Sequence, residues 1–89
     1  MDEHKSHQQL EQELAEAAKL IKVGASYQHY KDPNKIYKVL QLATQEWDDE
    51  LCVVYQAQYG SGLYFVRSLK EWLDQVKWEG RPVPRFTLV

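Results

Sequence analysis

At Gly24 the sequence changes its period, and that change narrows the fold more than any other feature. Over residues 8–22 the chain is built from Gln, Glu, Ala, Leu and Lys, strong helix formers uninterrupted by Pro or Gly. Leu10, Leu14, Ala17 and Ile21 follow one another at steps of 4, 3 and 4, so they line one stripe of a helix. Glu residues crowd the first half, Lys19 and Lys22 the end, and Gly24 stands where a helix stop belongs. Beyond Gly24 the apolar residues come in short runs separated by turn clusters, the pattern of strands. The chain therefore divides into a helical extension, 1–24, and a small β domain, 25–89.

An isolated helix of that length is marginal in water, so its stripe must pack on something. Either it covers the β domain or it makes a homodimer contact through Leu10, Leu14 and Ile21.

The strand-like runs are residues 26–31, 36–43, 51–59, 63–67 and 85–89. In the second, strict alternation puts Tyr37 and Val39 on one face and Ile36, Leu40 and Leu42 on the other. Leu51-Cys52-Val53-Val54-Tyr55 is apolar at consecutive positions, as in a central strand. Asp32-Pro33-Asn34 and Gly60-Ser61-Gly62 are turn clusters, and Asp48-Asp49-Glu50 reads as a solvated loop tip. Ser68-Leu69-Lys70-Glu71 has the form of a capping box and opens a short helix near 69–76, with Gly80 ending that region. The fold expected is mainly β with an N-terminal helix: an SH3-like small barrel or a strongly bent antiparallel sheet. The rival is a sheet with both helices on one face.

Composition limits function by class. With 89 residues the chain makes one small core. A net charge of −2 argues against sequence-blind binding to a nucleic-acid backbone, which needs clustered cations. The imbalance is local, however: residues 1–21 carry two lysines against five acidic residues, and residues 22–89 nine basic against eight acidic. One cysteine, Cys52, forms no internal disulfide, and the first residues lack the apolar run of a signal peptide. No run approaches the roughly 20 apolar residues of a membrane span. These features suit a cytoplasmic protein.

No catalytic constellation, phosphate loop or zinc-type cysteine pair is present, and no cofactor is implied. His4 and His7 share a helical face with Glu3 and Glu11 but sit at a chain end that holds a metal poorly. Cys52 lies in the most apolar strand, where a free thiol acts as a small hydrophobe. Tyr27, Tyr30, Tyr37, Tyr55, Tyr59 and Tyr64 fall mostly in strands, which core packing alone explains. The other reading is an aromatic groove whose rim carries cations, with His29, Tyr30, Lys31, Tyr55, Tyr59, Arg67 and Arg85 as binding residues. Arg67 stands out because it ends an apolar strand where solubility needs no charge.

Several of these residues recur as ordered motifs: Tyr27-Gln28-His29-Tyr30-Lys31, Val53-Val54-Tyr55, Tyr59-Gly60, Val66-Arg67 and Arg85-Phe86. In these the chain resembles a small, mainly bacterial family of domains of unknown function, over about residues 23–87. Asp32 replaces the Gly that resemblance implies after the first motif, and Ser68 the Pro after Val-Arg. The resemblance implies a fold and no activity. From the residues, a non-enzymatic binding module for a peptide or protein ranks first. A nucleic-acid or nucleotide-binding domain using Lys31, Lys35, Lys38, Arg67 and Arg85 ranks second. An enzyme with His29 as general base ranks last, since so short a chain leaves little room for a water-excluding pocket.

Overall fold

The structure, a computed structural model, describes residues 4–89. Its first element is helix α1, His7–Ala17. Ser6 caps it: its hydroxyl accepts from the Gln9 N–H at 3.2 Å, and the Gln9 side chain accepts from the Ser6 N–H at 3.1 Å. This reciprocal box satisfies two free donors of the first turn. The helix ends five residues earlier than its composition suggests, because the Lys19 and Leu20 amides bond to Glu16 and Ala17 in a tightened turn. Lys19 and Lys22 thus lie beyond it. The tightening drops Ile21, 1% exposed, into the core of its own domain, where Lys22 N–H also donates to the Tyr27 hydroxyl at 2.9 Å. Leu10 and Leu14 stay half-buried.

The strands are β1 (Ser26–His29), β2 (Asp32–Thr44), β3 (Leu51–Ala57), β4 (Tyr64–Ser68), β5 (Gln75–Trp78), β6 (Arg81–Pro84) and β7 (Phe86–Leu88). Helix α2, Leu69–Leu73, separates β4 from β5. The main sheet is antiparallel throughout, in the order β4-β3-β2-β1-β7, and β5 with β6 forms a separate hairpin. Of the two architectures expected, it is the strongly bent sheet: β4 and β7 are not paired, so the barrel stays open. Laid flat, four strand spacings would part β4 from β7 by about 19 Å. Yet the Arg67 guanidinium carbon on β4 lies 5.9 Å from the centre of the Phe86 ring on β7.

Two irregularities interrupt β2. Between Val39 and Gln41 the register shifts, leaving Leu40 as an extra residue. A bulge turns the following side chains over. Leu42, expected opposite Tyr37 and Val39, therefore packs against the same core, facing Val53. Near its start β2 pairs Asp32 with His29 but Ile36 with Gln28, so Pro33, Asn34 and Lys35 loop out of the ladder. The turn itself is Tyr30-Lys31, and Asp32 closes the excursion by accepting from the Asn34 N–H at 2.9 Å.

The short helix is also cut back. It ends at Asp74, and Val76, expected on its inner face, lies in β5 opposite Val83. Glu79 and Gly80 both have positive φ (53° and 79°), which makes them a two-residue hairpin turn rather than a helix stop. Ser68 does cap α2, accepting from Glu71 N–H at 3.1 Å, but the Glu71 carboxylate takes the Ser68 hydroxyl and faces Arg67 instead of closing the box.

Asp49, expected on a solvated tip, is buried with φ 59° and both carboxylate oxygens bonded. His4 Nδ1 lies 3.1 Å from Oδ1, and Lys5 N–H donates to Oδ2 at 2.7 Å. That clip joins the start of the described chain to the β2–β3 loop. The Lys5 amide above all, with His4, holds the Asp49 carboxyl below the ordinary aspartate value despite burial. Since folding depresses this pKa, the clip is intact above the ordinary value and is lost as pH falls through the lower folded one. The Lys5 amide resonance should titrate with that depressed midpoint and stop titrating in Asp49→Asn. A midpoint at the ordinary carboxylate value would show that no clip forms.

Candidate functional site

The core side of the bent sheet is aromatic. Tyr27, Tyr37, Tyr55, Trp72 and Phe86 are buried together with Ile21, Val39, Val53 and Ala57. Trp72 stacks on Phe86 at 3.8 Å and 13° and meets Tyr55 edge-on at 4.9 Å. Tyr37 sits edge-on to Tyr55, Phe65 and Phe86 at 5.3–6.2 Å. Such edge-to-face pairs set the positive rim of one ring against the negative face of another.

Where β4 curls toward β1 and β7, these rings leave a pocket of about 150 Å³ lined by His29, Tyr37, Tyr55, Phe65, Arg67 and Phe86. Arg67 is its polar element. Its Nε makes a long 3.4 Å contact to the Tyr55 hydroxyl, and Nη1 lies 3.4 Å from Glu71 Oε2. The remaining guanidinium N–H groups have no protein partner among the described residues. With its side chain 30% exposed, Arg67 is screened from water on one side and open on the other.

Charge acts on the same place. Burial, then Lys31, Arg67, Arg85 and Lys35 in that order, push the His29 imidazole below its ordinary value, so it is neutral at pH 7. Its Nδ1 accepts from Lys31 N–H at 3.1 Å, which fixes the proton on Nε2. Burial, and next the 2.6 Å hydroxyl contact with Tyr59, push the Tyr37 phenol upward, so it stays protonated. The pocket is thus an aromatic cup lined by one cation, Arg67, with Lys31, Lys35 and Arg85 close enough to His29 to disfavour its protonation.

His29, Tyr55 and Arg67 line the cup. The other residues singled out from sequence flank it. Tyr30 stacks on His29 at 4.6 Å, with Lys31 Nζ 5.8 Å from the Tyr30 ring. Tyr59 bonds to Tyr37 with Lys35 over its ring at 4.7 Å, and Arg85 Nε donates to the Glu71 carbonyl at 3.0 Å. Lys38 is exposed opposite Ser26, outside this group. Sequence reasoning passed over Tyr37, Phe65 and Phe86 as pocket walls. Phe65 was within reach, since it alternates with Arg67 on one face of β4. Cys52 is buried, with its thiol pushed up by burial and then by Glu50 and Asp48, so it is not a poised nucleophile. Glu3 lies outside the described residues, and His4 is engaged by Asp49. Among the described residues no helix is long and apolar enough to cross a membrane.

The family model described as Protein of unknown function (DUF1653) matches residues 25–88. The chain belongs to that family. A crystal structure of a DUF1653 protein from Bordetella bronchiseptica is similar at 37% identity and a TM-score of 0.66. The similarity covers 74% of this chain and 85% of that one. No curated protein matches the chain. The DUF1653 segment contains the whole main sheet and every wall of the cup, but not Ile21 or α1. The ordered motifs that carried the resemblance are brought together from separate elements. His29 comes from β1, Tyr55 from β3, Arg67 from β4 and Phe86 from β7.

Proposed function

We propose that this DUF1653 domain is a non-enzymatic module that binds a protein partner by taking an acidic side chain into the aromatic cup against Arg67. One observation carries the reading: the half-buried guanidinium that lines the aromatic pocket has unused donors. A carboxylate there would gain charge-assisted hydrogen bonds in partly dewatered surroundings. His29 has cations for neighbours and its Nδ1 is committed to Lys31, so it lacks the partners of a general base. The single Cys52, a buried free thiol, suits a reducing cytoplasmic setting.

Nucleic acid is the weaker reading because base stacking needs free ring faces. Phe86 is stacked by Trp72 and also lies near the Arg67 guanidinium, and Tyr55 is buried among its neighbours. The test is a titration of the isotope-labelled protein with the blocked peptide Ala-Ala-Glu-Ala-Ala and its Gln counterpart. The Glu peptide should shift His29, Tyr55 and Arg67 resonances, and Arg67→Ala should weaken it about tenfold to a hundredfold. Equal shifts with Gln, or none with either, overturn the proposal. Tight, salt-sensitive binding of a single-stranded oligonucleotide instead would assign the cup to nucleic acid.

A further inference from the structure

The cup lies on the inner face of β4, and β4 is itself an edge of the sheet. Which backbone groups face outward follows from one bond. Ala57 N–H donates to the Leu63 carbonyl at 2.9 Å, and bonded pairs recur at every second residue of an antiparallel ladder. Tyr55 opposite Phe65 and Val53 opposite Arg67 therefore hold the bonds to β3. The N–H and C=O of Tyr64 and Val66 point away from β3, and no described residue bonds to them.

Open edges are commonly blunted against pairing. On β6 the edge is blunted: the two-residue turn makes Trp78 and Arg81 a bonded pair, so Pro82 and Pro84 fall where the nitrogen faces outward. The far edge of the main sheet, β7, is three residues long. Strand β4 has neither device and no Lys. Its outward side chains, Tyr64 and Val66, are 69% and 64% exposed, and its one charge, Arg67, turns inward, a barrier only to segments that bring it no carboxylate.

We infer that a partner protein completes this edge by adding an extended segment antiparallel to β4, with acidic side chains facing Arg67 and apolar ones beside Tyr64 and Val66. This rests on the cup reading and adds the backbone mode of capture. Charge selects the occupant, since Arg67, on the inner face of this edge with guanidinium N–H groups unbonded, attracts carboxylates and repels a basic strand. The outer face offers Tyr64 and Val66 for apolar cross-strand pairs. Because side chains alternate, one segment meets both demands only when acidic and apolar residues alternate in it. Antiparallel addition continues the pattern of every neighbour in the sheet and is the more stable ladder. The residues opposite Tyr64 and Val66 then share their outward face, so the apolar positions supply the bonding amides.

The probe is the blocked heptapeptide Thr-Val-Glu-Val-Glu-Val-Thr, titrated onto the full chain as the parent and in two N-methylated forms. Methylation of the Val amides should weaken binding about tenfold or more, while methylation of the Glu amides leaves it within about twofold. Val66→Pro removes one outward donor at a position that tolerates Pro and should weaken the parent similarly, with the melting transition retained. Equal affinity of all three forms overturns strand addition and leaves the cup reading standing. A parent no tighter than its Gln counterpart overturns the cup reading itself. A concentration-dependent dimer that excludes the peptide and is dissolved by Val66→Pro would give the edge to a second copy, and also overturns the inference.

Discussion

Trp72→Ala should cost about 3–5 kcal/mol, the range for removing a buried aromatic and leaving a cavity. Small domains are stable by only about 5–15 kcal/mol, so the urea midpoint should fall by about a fifth or more. The size of the effect follows from position. Trp72 is 3% exposed, stacks on Phe86 from β7 and meets Tyr27 and Tyr55 edge-on, so it joins α2 to β1, β3 and β7. It closes the gap that the unpaired edges leave. Trp47, 73% exposed, is the control: Trp47→Ala should change stability by no more than about 0.5 kcal/mol. Urea unfolding followed by circular dichroism measures both. Equal midpoints for the two variants would show that Trp72 does not close the sheet.

Ile21→Ala should cost about 2–5 kcal/mol, although Ile21 lies outside the segment matched by the DUF1653 model. It is among the most buried side chains in the molecule. The turn that delivers it is held twice more, by Lys22 N–H on the Tyr27 hydroxyl and by Gly24 N–H on the Val39 carbonyl at 2.8 Å. A chain starting at residue 25 should therefore unfold at lower urea than the full chain by at least the Ile21→Ala difference. If Ile21→Ala unfolds with the full chain, the extension only decorates a domain complete without it.

How much of this was legible depended on whether the period stayed unbroken. The helix-to-strand change near Gly24 and the apolar run through Val53 followed from periodicity, and the order of elements narrowed the rest to a small barrel or a bent antiparallel sheet. Leu42 was misplaced because alternation carries through a bulge on paper but not in space, and nothing in Val39-Leu40-Gln41 marks the shift. The β5–β6 hairpin was hidden because Leu69, Trp72, Leu73 and Val76 fit helical spacing, although Glu79-Gly80 was a sufficient turn. The cup was half visible. Arg67 drew attention as an unneeded charge, but Tyr37, Phe65 and Phe86 become walls only when β4 curls over β7. Alternation tells which face a residue takes, not which distant strand that face meets.

The three residues looped out between Asp32 and Ile36 have a consequence for variation among related chains. A length change inside a paired strand would turn every later side chain of β2 to the wrong face. At Pro33-Asn34-Lys35 the ladder is already interrupted, so residues can be added or removed there while the pairing of Ile36 with Gln28 stays the same. Lys35 carries one of the charges that reach His29. Shortening or lengthening this excursion would therefore change the charge around His29 while the core stays as it is, at little cost to the fold.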